Sequence, residues 1–221
     1  MTDKNKQGIQ YMQAGKYEEA AKVFTEAIEE KPDDAVAYTN FGNLLTALGE
    51  LQRAVAFYEK ALEIDEQMAT AYYGAGNAFY KMEQFTDAKD MFQQALQKGL
   101  EEGDTYFMLA MSIYQLDQPK LALPYFQRAV ELNQDDVDAH FQYGLCLAQT
   151  NQIDEAINVL EQTVAMNDEH ADAYYNLGVA YAYKDDAETT LAMFKKALEV
   201  QPDHMLAANG KEKIEALLNE N

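Results

Sequence analysis

Small and apolar residues recur along this chain at an interval that no single helix or strand could generate. A residue with little or no side chain stands at every thirty-fourth position: Gly8, Gly42, Gly76, Ala110, Gly144 and Gly178. Behind each, at fixed offsets, come alanine, an aromatic and alanine again. The first four sets are Ala20, Phe24, Ala27; Ala54, Tyr58, Ala61; Ala88, Phe92, Ala95; and Ala122, Phe126, Ala129. A period of this length without insertions predicts a helical repeat array in which each unit contacts only its neighbours. The units run 1–34, 35–68, 69–102, 103–136, 137–170 and 171–204.

Within each unit the finer spacing predicts two short helices. Apolar residues fall at unit positions 4, 7 and 11 around the small residue at 8, as in Tyr38, Phe41, Gly42 and Leu45. That is helical spacing rather than strand alternation. A second helix carries positions 20, 24, 27 and 28. Gly15, Gly49, Asn151 or Asp185 marks the turn between the helices, and polar turns such as Lys31-Pro32-Asp33-Asp34 separate the units. Helices approach closely only where one side chain is nearly absent. Position 8 is therefore expected to face positions 20 and 27, with the aromatic at 24 beside that contact. In unit four, Pro119 suits a first helical turn, whereas Pro124 predicts a kink or a late start. After unit six, Leu206, Gly210, Ile214 and Leu217 predict one amphipathic capping helix over 205–219.

These residues resemble the tetratricopeptide repeat. That family's signature is Gly or Ala at 8, Tyr at 11, Ala at 20, Phe at 24, Ala at 27 and Pro at 32. Unit one matches with Gly8, Tyr11, Ala20, Phe24, Ala27 and Pro32. Departures are local: Lys4 and His140 replace the aromatic at 4, and Leu160, Thr163 and Thr190 replace Phe, Ala and Ala. The resemblance implies an all-α, right-handed solenoid of antiparallel helix pairs, six repeats and a C-terminal capping helix with a short tail (205–221). It also implies a non-catalytic scaffold or adaptor that holds a partner's peptide segment in a concave groove lined by the first helices. Self-association into homo-oligomers through the groove or the end faces is the alternative.

With packing assigned to positions 4, 7, 8 and 11, the stripe at 2, 5, 9 and 12 is left facing the groove. On or beside it lie Asn40, Asn43, Tyr73, Asn77, Tyr80, Phe107, Met111, Tyr114, Phe141, Leu145, Tyr175, Val179 and Tyr183. An apolar row of this extent predicts an interaction surface. Asp104, Asp138 and Asp172 all occupy position 2. They serve helix N-termini, or form an acidic rim that draws in Lys- or Arg-bearing segments. The expected partner is an apolar protein segment with basic flanks. Family members that clamp a terminal carboxylate carry cations where this chain has Asn5, Tyr73 and Asn77, and an amide where it has Ile9, so that ligand is not expected.

Composition narrows the partner further. The 221 residues carry 38 acidic and 17 basic side chains, a formal charge of −21. That argues against nucleic acid and anionic membrane, which need clustered Lys and Arg. The lone Cys146 rules out an internal disulfide and fits a reducing compartment. The polar start of the chain does not read as a signal, and no apolar run approaches the ~20 residues of a membrane span. A cytoplasmic setting is expected.

Catalysis finds little footing. His140 sits at a packing position. His170 and His204 lie one repeat apart, without the further ligands a metal site requires. Cys146 reads as a buried bystander, the acid pairs fall in turns, and no Gly-rich phosphate loop is present. The expectation is no enzyme, no metal and no cofactor.

Overall fold

The structure is a computed structural model, described for residues 3–220, and those residues form α-helices joined by short turns. It divides into two compact units between Asp117 and Gln118, within the fourth repeat. The N-terminal unit contains α1 (Lys4–Gln13), α2 (Tyr17–Glu30), α3 (Ala35–Ala47), α4 (Leu51–Ile64), α5 (Ala69–Lys81), α6 (Phe85–Gln97) and α7 (Gly103–Gln115). The C-terminal unit contains α8 (Pro119–Leu132), α9 (Val137–Gln149), α10 (Ile153–Met166), α11 (Ala171–Ala182), α12 (Ala187–Val200) and α13 (Met205–Glu220). Second helices start at 17, 51, 85, 119, 153 and 187, so the register of the pattern is the register of the fold.

The turn inside each repeat explains part of that regularity. Position 15 is left-handed every time: Gly15 (φ 70°), Gly49 (77°), Glu83 (60°), Asp117 (58°), Asn151 (65°) and Asp185 (57°). Glycine, asparagine and aspartate take this conformation readily. Glu83 does not, and the sequence pattern had not marked it as a turn residue. Between repeats, the side chain at position 34 caps α3, α9, α11 and α13, while Met68 and Glu102 make no such bond. Asp34 accepts from the Val36 and Ala37 amides, and Asp136 from that of Ala139. His170 and His204 do the same through Nδ1, accepting from Ala173 and Ala207 at 3.2 and 3.1 Å.

The core is built from small residues against rings. A Cβ added to Gly8, Gly42, Gly76 or Gly178 would meet the position-24 ring of the same repeat at 2.3–2.8 Å. The ring itself covers the glycine, rather than filling space beside a contact with positions 20 and 27. Two rings are gripped from both sides. Tyr58 lies between Gly42 and Gly74, and Phe194 between Gly178 and Gly210. Two further positions are buried in repeats two to six. Position 3 holds Ala37, Ala71, Thr105, Ala139 and Ala173, and position 10 holds Leu44, Ala78, Ser112, Cys146 and Ala180. Leu44 apart, side chains this small let successive helices stack closely.

Two expectations need correction. α8 does not start late: it runs as one helix from Pro119 through Pro124 to Leu132. Pro124 and Lys120 are both exposed, so the lost bond lies on the wet side, where water can serve the Lys120 carbonyl. Its buried face of Ala122, Phe126 and Ala129 is intact. In α13 the packing face is not the one the leucines predicted. Leu206 is 58% exposed and Leu217 50%, while Ala207 is fully buried and Gly210 abuts Phe194. Contact with the ring at 210 admits only Gly, since a Cβ there would lie 2.7 Å from Phe194.

Candidate functional site

Consecutive first helices touch in the N-terminal unit (α1–α3, α3–α5, α5–α7) and in the C-terminal unit (α9–α11), and do so more closely than consecutive second helices. Each unit therefore bends with its first helices on the inner side. The predicted groove residues lie on those helices, but they are not a freely exposed wall. Tyr73, Tyr80, Phe107, Met111, Tyr114, Phe141, Leu145, Tyr175 and Val179 are all half-buried, and only Asn43 and Tyr183 of the whole set are exposed.

Packing against second helices and caps accounts for the half-burial. Tyr73 sets its edge on Phe92 at 5.6 Å between centroids, and Tyr80 meets Phe85 at 5.3 Å. In the C-terminal unit Phe141 packs on the His170 ring at 4.4 Å, and Tyr175 spans Phe194 and His204 at 5.7 and 5.1 Å. A position-5 ring thus covers its own repeat's core and often the next repeat's cap, leaving one face towards the inner side. Tyr183, 72% exposed, stands just past the end of α11.

The amides divide in role. Asn40 donates to Asn5 Oδ1 at 3.3 Å, and Asn5 donates to Asp34 at 3.1 Å, so Asn40 ties α3 to α1. Asn43 Oδ1 accepts from the Tyr58 hydroxyl at 2.8 Å, which keeps its NH₂ as the group available to a ligand. Burial raises the Tyr58 phenol to about 12, so it stays a neutral donor. Tyr73 is also raised, first by burial and then by Asp104 and Glu102, against a lowering hydrogen bond from Asn77.

Asp104, Asp138 and Asp172 are exposed; on α9 and α11 the side-chain caps are made by Asp136 and His170 instead, while Glu102 makes none on α7. They stand in the first helical turn, where a negative charge suits the helix dipole. Asp172 has a further partner. His204 Nδ1 is occupied as a cap acceptor, so its proton lies on Nε2, which faces Asp172 Oδ1 at 3.1 Å. His140 is buried and bonded to the Asp136 carbonyl at 2.9 Å. Cys146 is buried beside the Pro119 carbonyl at 3.2 Å, and burial pushes its thiol up to about 11. That is the opposite of nucleophile activation. Among the described residues no group of three or more His, Cys, Asp or Glu side chains is gathered for a metal ion. Nor is any helix long and apolar enough to cross a membrane.

Comparison with known proteins bears on this geometry. Tetratricopeptide repeat models match residues 11–57 and 114–178, 73–136 and 171–204, and a TPR repeat model matches 42–83. The TPR repeat-containing protein YrrB of Bacillus subtilis (strain 168) is 56% identical over 41 residues, 19% of this chain and 20% of that protein. The crystal structure of YrrB, described as a TPR protein with an unusual peptide-binding site, superposes with a TM-score of 0.83 and 53% identity. That superposition covers 87% of this chain and 99% of YrrB's. The fold alone is shared with pilF of Pseudomonas aeruginosa, at 19% identity and a TM-score of 0.82, over 95% of this chain and 96% of that one.

Proposed function

The chain belongs to the tetratricopeptide repeat family, and from that premise we propose that it is a non-catalytic adaptor, working in the cytoplasm, that holds a partner's peptide segment against its first helices. The observation that carries this reading is the half-buried rings on the first helices of each unit: Tyr73 on α5 in the N-terminal unit, and Phe141 and Tyr175 on α9 and α11 in the C-terminal unit. Each is fixed on one face by packing and offers the other to a ligand. Held in this way, a ring loses little freedom on binding, which favours affinity. YrrB, similar over most of this chain, is described as having a peptide-binding site, and that supports the same use here. Asn43 supplies an amide for a peptide backbone, and exposed Asp104 and Asp138 favour a partner segment with Lys or Arg beside its apolar residues.

The test is a photo-crosslinking residue at Tyr114, with a second at the exposed Gln127 on a second helix, α8, as control. In native extract the first should capture a discrete protein through a segment with basic flanks, less efficiently as salt rises. Equal capture at both sites, or an acidic captured segment, would refute the reading. Self-association has one observation in its favour, the exposed Met205 and Leu206 on α13. Light scattering decides it: a dimer that dissociates in a Leu206→Lys variant supports it, and a monomer at all concentrations excludes it.

A further inference from the structure

A cavity of about 550 Å³ opens in the N-terminal unit on the side away from the inner row. Its floor is apolar, formed by Val55 and Leu62 of α4, Tyr72, Ala75 and Phe79 of α5, and Met91 of α6. One residue opens it. At unit position 7 the other inner repeats carry Phe41, Leu109, Tyr143 and Leu177, whereas repeat three carries Ala75. In repeat two that space is filled, since Phe41 packs on Phe57 at 4.6 Å. A repeat that omits a core side chain gives up packing energy and gains a concave apolar surface.

The rim is acidic on both walls. Glu59 and Glu63 stand one turn apart on α4, and Asp87 and Asp90 one turn apart on α6. Glu63 and Asp90 already pair with Lys60 and Lys89, at 2.7 and 3.3 Å. Among the described residues no cation lies within ion-pair distance of Glu59 or Asp87, and no Lys or Arg lines the cavity.

We propose that this cleft is a second docking site, separate from the inner row, for a partner-protein segment that inserts one large apolar side chain between flanking Lys or Arg residues. The volume lies in the range of pockets that bury a ligand group. Met91, with Phe79 and Leu62, gives it an adaptable lining. The unpaired carboxylates select the sign of the flanks and steer encounter, while the buried side chain sets the lifetime. A protein could in this way hold one partner on its inner helices and a second on its outer ones.

The probe is a fluorescein-labelled peptide, Lys-Lys-Ala-Leu-Phe-Ala-Lys-Lys, followed by anisotropy, with versions replacing Phe by Ala or every Lys by Glu. The Phe-to-Ala peptide should bind about tenfold more weakly or worse, and the Glu peptide should not bind. Ala75→Leu restores the side chain that other repeats carry. It should melt at or above the wild type and weaken binding about tenfold or more. Glu59→Gln with Asp87→Asn, both on the surface, should weaken binding and flatten its salt dependence, and this arm stands even if Ala75→Leu does not fold. Glu212→Gln, exposed on α13 and outside both sites, should leave the affinity unchanged. The proposal is overturned if a folded Ala75→Leu binds as the wild type does. It also fails if Glu212→Gln weakens binding as much as the Glu59→Gln with Asp87→Asn pair, if the Glu peptide binds equally, or if the parent peptide does not bind.

Discussion

Replacing Gly178 with leucine tests how the hairpins of the C-terminal unit are held. A Cβ at that position would stand 2.7 Å from Phe194 Cε1 and 3.3 Å from Met193 Cβ. Carbon atoms in contact sit at about 3.5–4.0 Å, so the ring has to yield by roughly 1 Å. Its other face is blocked, because a Cβ on Gly210 would lie 2.7 Å from Cε2. Either α12 draws away from α11, or α13 lifts. Overpacking of this kind costs about 1–3 kcal/mol, and the better helix propensity of leucine returns about 0.8 kcal/mol. The net loss is about 0.2–2.2 kcal/mol, which lowers the melting temperature of a chain this long by up to roughly 9 °C. Far-UV circular dichroism reads the melt. Hydrogen exchange should lose protection first in 205–219, since an end helix has a neighbour on one side only. Phe194→Leu should then rescue the variant in part, because repeat five already sets Leu160 opposite Gly144. The expected coupling is about 0.5–3 kcal/mol. A Gly178→Leu protein that melts with the wild type, or a double variant whose effects simply add, would refute the account.

Other predictions draw on separate features. Glu83→Gly should raise stability by about 0.5–1 kcal/mol, because glutamate at φ 60° is strained where glycine is not; a loss in urea titration would show that Glu83 makes a contact worth more than its strain. Asp186 caps α12, and its carboxyl is held below the usual range by the amide and hydroxyl of Thr189. Its folded pKa lies below its unfolded one, so its contribution is present above the unfolded value and lost as pH falls through the folded one. Asp186→Ala should therefore be less stable than the wild type at neutral pH and indistinguishable in strong acid. Cys146, fully buried with its thiol raised to about 11, should resist a thiol reagent in mild base until denaturant is added; labelling at the rate of a free thiol would place it at the surface. A peptide ending Glu-Glu-Val-Asp should show no micromolar binding by calorimetry, since Tyr73 and Asn77 provide no cation for its carboxylates.

What could be read in advance depended on how visible each residue type is to pattern analysis. The glycines at position 8 and the rings at 24 announce themselves, and they set the register of every hairpin. The residues at positions 3 and 10, six of them alanine in repeats two to six, do not, because alanine occurs on any helix face, and they proved to be buried throughout those repeats. Assigning core duty to 4, 7, 8 and 11 therefore left too much surface to the inner row, and the half-burial of Tyr73 and Tyr175 follows from that omission. His170 and His204 suggested an edge and proved to be caps; histidine is a rare choice for that place, so spacing alone could not show it. Ala75 was visible as a residue but not as a gap, since a cavity is known only from what surrounds it.

The doubly gripped rings carry a consequence for how such an array can be cut or extended. Tyr58 belongs to repeat two by sequence, yet half of its socket, Gly74, is supplied by repeat three. The smallest segment holding a finished socket is thus α3 to α5, three helices rather than two. Any excised piece must begin and end on a helix of the first kind, which makes its helix count odd. A duplicated block inserted beside Tyr58 has to bring glycine at its own sixth position or the joint will not close. The same arithmetic holds at Phe194: without α13 the ring would stand with one side bare, and Gly210 supplies that wall.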